Sequence, residues 1–215
     1  MGSAYTRREI VADAVVHIIG TVAGIAGGLV LLATANGGGP VLTFSVAAYT
    51  LALIAMLDFS ALYNLALGSP RRALYRRLDR TAIFILIAGS YTPFALVKIG
   101  GTLGLGLFVT VWLGAAFGSY IELWHPRRWE RQTFVLYLAL GWCIVLAAGP
   151  LLDVLAAPAL ALLLGGGLIY TAGAMIYLWQ RLPYHNAIWH ALVLVAAGCH
   201  YAAIYRYVAV PAVAA

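Results

Sequence analysis

Residues 14–57 read AVVHIIGTVAGIAGGLVLLATANGGGPVLTFSVAAYTLALIAML, 44 residues without an Asp, Glu, Lys or Arg. A membrane-spanning helix needs about 20 apolar residues. The stretch therefore holds two spans, separated by the turn signal Asn36-Gly37-Gly38-Gly39-Pro40. Outward from it, further charge-free runs occupy 81–97, 99–121, 132–152, 154–180 and 182–205, each fit for one span. In lipid only helices and closed barrels satisfy their own backbone, and barrel strands alternate polar with apolar; unbroken apolar runs mean helices. Extending the second span past Asp58 gives seven helices near 10–34, 41–67, 79–98, 102–123, 132–150, 158–180 and 185–208. The predicted class is an all-α integral membrane bundle of seven helices, one domain over 1–215.

Composition agrees. The chain is 64% hydrophobic and 9% charged, whereas soluble domains are about half apolar and about a quarter charged. A soluble enzyme, a disordered chain and a nucleic-acid binder are excluded; the expected partners are membrane lipids. The first span is read as retained rather than as a signal peptide, because it is too long for such a segment and carries Asp13 and His17. With the N-terminus inside, 11 of the 13 basic residues fall on the inner side: Arg7, Arg8, Arg71, Arg72, Arg76, Arg77, Arg80, Arg127, Arg128, Arg131 and Arg181. The positive-inside rule therefore predicts a cytoplasmic N-terminus and an outside C-terminus. Trp124, Trp129, Trp179, Tyr184 and Trp189 fall at predicted inner helix ends, as an aromatic belt would. The small-residue stripes Gly20, Gly24, Gly28 and Gly114, Gly118 predict close helix packing, and Cys143 and Cys199 read as small packing residues.

Ionisable groups inside spans are costly and mark function. Asp13, His17, Asp58, Ser60, Asn64, Asp79, Asn186 and His190 all fall within roughly 15 Å of the inner boundary at the helical rise. Asp13/His17, Ser60/Asn64 and Asn186/His190 are each four apart, so each pair shares a helix face. His200 lies farther out on the same stripe as His190. Ser60, Asn64, Asp79 and His190 are expected to form one site. Asp79 is placed at the start of its helix and His185 at the interface.

Three segments resemble motifs of the hemolysin III family, within the progestin/adipoQ receptor superfamily that includes adiponectin receptors. Ser60-Ala-Leu-Tyr63-Asn64 resembles S-x-x-[YF]-H. Leu78-Asp79-Arg80 with Gly89-Ser90-Tyr91-Thr92-Pro93 resembles L-D-…-G-[ST]-[YF]-x-P. Pro183-Tyr184-His185-Asn186-Ala187-Ile188-Trp189-His190, then His200-Tyr201, resembles P-[YF]-H-H-x-I-W-H…H-[YF], and Asp13 with His17 matches the acidic-then-His pattern of helix one. The resemblance implies seven helices and a zinc ion near the cytoplasmic side. It would be held by three histidines, at the positions that are Asn64, Asn186 and His190 here. Zinc prefers imidazole, thiolate or carboxylate, so two amides in that set weaken metal binding. The expectation is instead that Asn64 and Asn186 bond to each other, with His190 and Asp79 completing the network.

Three functions follow, in this order. The first is a membrane-homeostasis or ion-conducting, pore-forming protein of the bacterial inner membrane, with Thr21, Cys199 and His200 extending a polar path outward. The second is a zinc-dependent lipid-amide hydrolase using Ser60, Asp79 and His190. The third, a receptor-like sensor, ranks last because the loops are short.

Overall fold

At the N-terminus Thr6 and Glu9 form a capping box. Thr6 N–H and Oγ1–H donate to Glu9 Oε2, both at 2.8 Å, and Glu9 N–H donates to Thr6 Oγ1 at 3.3 Å. These bonds satisfy amides that a helix start leaves open and launch α1, Arg7–Ala35. The computed structural model describes residues 5–125 and 128–210. Arg127, one of the inner-side arginines above, lies outside them.

Among the described residues, seven helices are long and apolar enough to cross a membrane: α1, α2 (Pro40–Leu65), α3 (Arg72–Ile99), α4 (Gly101–Trp124), α5 (Glu130–Val154), α6 (Ala157–Leu178) and α7 (His185–Ala209). No strand occurs among those residues. The α1–α2 turn works because Gly37 and Gly39 take φ of 91° and 88°, open to glycine alone without strain, and Pro40 starts the next helix where its missing N–H costs nothing.

α3 begins at Arg72 rather than at 79, a correction to the expected boundary. Its first two turns carry the arginines of the inner face, so the absence of charge marks where lipid begins and not where the helix does. Asp79 therefore sits inside α3 and caps nothing. Beyond Pro93 the helix widens into a π-helical segment, Phe94–Ile99, the local adjustment by which intramembrane prolines are accommodated. α5 is interrupted by a 3₁₀ segment, Cys143–Ala147. Tyr91 of α3 mends the gap: Ile144 N–H donates to its hydroxyl at 2.8 Å, and that hydroxyl lies 2.8 Å from the carbonyls of both Leu140 and Gly141.

Helices adjacent in sequence pack together, and α1 against α7 closes the ring; α5 touches its neighbours most sparsely. The glycine stripe sets the α1–α2 approach. A methyl at Gly28 would lie 2.7 Å from Thr50 Cγ2, and one at Gly24 would run into Leu57. Leu31, Val46, Tyr49, Phe94, Leu151 and Ile204 form a buried apolar cluster toward the predicted outer end, with Tyr49 at its border with the cavity. Trp124, Trp129, Trp179 and Tyr184 are exposed, as a belt requires. Trp189 is not part of it: it turns inward over Gly173 and sits tilted against Tyr177, with ring centroids 5.7 Å apart.

Candidate functional site

The closure of α1 on α7 brings two pairs of residues face to face, Asp13/His17 and Asn186/His190. The Asp13 carboxylate is the hub. His190 Nδ1 lies 2.6 Å from Asp13 Oδ1; a carboxylate only accepts, so Nδ1 carries the proton. Asn186 Nδ2 donates to Asp13 Oδ2 at 3.0 Å and to Asn64 Oδ1 at 3.2 Å, and Asn64 Nδ2 donates to the Ser60 carbonyl at 2.9 Å. His17 Nε2 lies 3.5 Å from Asp13 Oδ2, and its ring centroid is 4.4 Å from that of His190. Asp13, His17 and His190 are 6%, 5% and 9% exposed. A carboxylate so deep is tolerable because each oxygen is bonded.

The expected Asn64–Asn186 pairing is thus present, but Asp13 completes it and Asp79 does not. Asp79 lies beside Ser60 on the wall of a cavity of about 210 Å³. That cavity is also lined by Asn64, Asn186, His190 and His200, and its walls between the inner polar end and His200 include Met56, Leu86, Ile87, Phe134 and Val193. Four of the expected site residues, Ser60, Asn64, Asp79 and His190, therefore do meet on one cavity. Asp58 is half-buried and lies off it. His200 packs edge-on to Tyr170 at 5.5 Å and fills the space left by Gly166.

Several residues were not anticipated. Glu9 Oε1 accepts the Tyr184 N–H at 3.0 Å. It thereby clasps the start of α7, where Tyr184 adopts a left-handed φ of 59°, to the start of α1. The T-x-x-E capping signature was the readable signal. His185, expected at the interface, is buried and bonds Tyr5 Oη at 3.3 Å; burial raises the Tyr5 phenol's pKa above its ordinary value. At the inner rim Glu122 is 0% exposed, 3.6 Å from Arg80 Nη1. Arg80 and Arg76 both donate to Glu130 Oε1, at 2.7 and 3.0 Å.

Comparison with known proteins bears on this arrangement. The family model described as "Haemolysin-III related" matches residues 5–201. The chain belongs to the haemolysin III family. It is 35% identical to Hemolysin-3 of Bacillus cereus over 87% of this chain and 86% of that one, and 33% identical to the Hemolysin-3 homolog of Bacillus subtilis over 88% and 90%. It is also 33% identical to the human Monocyte to macrophage differentiation factor, over 62% of this chain and 55% of that one, which extends the kinship to the progestin/adipoQ receptor superfamily. No solved structure matches the chain. Against the zinc ion that the family resemblance implies, the ligand positions of this haemolysin III chain do not fit. Asn64 and Asn186 spend their amides on each other, on Asp13 and on the Ser60 carbonyl, leaving His190 as the only imidazole of that set.

Proposed function

We propose that this chain takes a membrane lipid into its cavity and hydrolyses an amide or ester bond at the inner end, in the inner membrane of a bacterium. The supporting observation is the shape of that cavity. It joins polar groups near the cytoplasmic face to largely apolar walls and stops beneath the packed outer half. An amphipathic lipid matches that gradient, its linkage beside Ser60, Asp79 and His190 and its chain between Met56, Leu86, Ile87 and Phe134. Water adds to the carbonyl carbon and the C–N or C–O bond breaks, giving a fatty acid and an amine or alcohol. Asp13 fixes the His190 ring for taking the proton of that water, the Ser60 hydroxyl holds the carbonyl, and the Asp79 carboxyl delivers a proton to the leaving group.

A conducting path would have to pass Leu31, Val46, Tyr49 and Ile204, which is why hydrolysis is preferred over the pore reading. The test is the protein in nanodiscs with ceramide-like amides and lysolipid esters, following fatty acid by mass spectrometry. Release is expected, with Asp79→Asn lowering kcat by about 10²–10³-fold. No release above empty discs, together with proton or ion flux in liposomes, would overturn hydrolysis in favour of conduction.

A further inference from the structure

We infer that Asp13, His17 and His190 together form a site for a divalent ion of the zinc class, sharing only His190 with the family's ligand set. The donors are one carboxylate and two imidazoles, a set that zinc takes in three-ligand sites with an open fourth position. Their ligand atoms lie within 4.8 Å of one another. Tetrahedral zinc with bonds near 2.0–2.1 Å sets its donors about 3.3 Å apart. His190 Nδ1 lies 2.6 Å from Asp13 Oδ1 and His17 Nε2 lies 3.5 Å from Asp13 Oδ2, so each imidazole already stands within about 1 Å of that spacing from a carboxylate oxygen.

The independent sign of a missing ligand is His17. Its ring is buried at the contact of α1 with α7, yet Nε2 makes no hydrogen bond among the described residues and has Asp13 Oδ2 only at 3.5 Å. A buried polar nitrogen left without a partner calls for an explanation, and an ion between the two rings supplies one. Binding exchanges the Nδ1–H···Oδ1 bond of His190 for metal–nitrogen and metal–oxygen bonds, and the ring proton moves to Nε2, so that His190 ligates as a neutral imidazole. The amides gain a purpose on this view. Asn186, braced by Asn64, holds Asp13 Oδ2 in place, the outer support that metal ligands require. An ion held by these three residues would supply Lewis-acid chemistry at the inner end of the cavity, but the site stands whether or not the cavity turns over a lipid.

The experiment uses the full chain in detergent, stripped with a chelator and titrated with Co²⁺, reading d–d absorption and bound metal per chain. One Co²⁺ per chain, displaced by Zn²⁺, is expected. Asp13→Asn and His17→Gln should each weaken binding by at least about 100-fold, and Asn186→Ala by about 10-fold. Absence of stoichiometric Co²⁺, or binding unchanged in both Asp13→Asn and His17→Gln, overturns the inference. X-ray absorption of the wild-type zinc form needs no variant: two imidazoles around the ion support the site and any other number refutes it. Because none of these readouts is hydrolysis, failure here and failure of the lipid reading remain separable.

Discussion

Replacing Asp13 by Ala removes the acceptor of two interhelical hydrogen bonds, from His190 at 2.6 Å and from Asn186 at 3.0 Å. Such bonds contribute about 0.6 to 1.7 kcal/mol each in membrane bundles. Two of them give about 1–3 kcal/mol, below the about 3–5 kcal/mol seen when one partner of a buried ion pair is deleted. For a chain of this size each kcal/mol moves Tm by about 2–4 °C, so a fall of about 2–12 °C is expected. Asp13→Asn should cost less than about 1 kcal/mol. Its oxygen still accepts from Asn186, and its amide can donate to Nδ1 once His190 shifts its proton to the other nitrogen. Tryptophan fluorescence on heating in detergent with excess chelator reads both variants. An Asp13→Ala protein melting within a degree of wild type would refute the idea that this carboxylate ties α1 to α7. An Asp13→Asn protein as weak as Asp13→Ala would show that charge, and not the pair of bonds, does the tying.

Tyr91→Phe should cost about 1–3 kcal/mol, since one hydroxyl serves Ile144 N–H and two carbonyls at the α5 break. Faster amide exchange confined to residues 141–147 is the signature, with the exposed Tyr120→Phe as control. Gly118→Ala should destabilise by about 1–3 kcal/mol through overpacking, because the new methyl runs into the fully buried Phe84 ring, itself held against the Tyr137 ring with centroids 4.2 Å apart; an unchanged melting temperature would contradict that contact. Glu9→Ala should raise protease sensitivity at residues 179–185 while leaving the outer ends of α1 and α7 untouched, as it frees Tyr184 N–H and undoes the capping box.

The seven spans were legible because lipid imposes one rule on every residue of a span. Depth was legible too: Ser60, Asn64, Asp79 and His190 meet on one cavity as the common level suggested. Neighbourhood was not. Periodicity says which face of a helix a residue occupies but not which helix that face meets, so His190 was paired with Asp79 when the ring closure hands it to Asp13. The same gap hid Trp189, whose inner-end position suited a belt, and His185, which lies under Tyr5. Charge misled at the inner rim, where Arg80 lets Glu122 be wholly buried and where α3 runs two turns beyond its apolar part.

The glycine stripe of α1 starts three residues beyond His17, and Gly20 faces Leu57 of α2 and Leu194 of α7, with 3.3 and 3.4 Å available to a methyl. It therefore acts as a spacer gauge for the chemistry one turn below. A methyl there asks the two leucines to give only slightly, but any larger side chain wedges α1 off both neighbours and stretches the Asp13–His190 contact without touching either residue. Tolerance to substitution in this protein should consequently be lower along a bare, featureless helix face than at several of the polar positions that draw the eye.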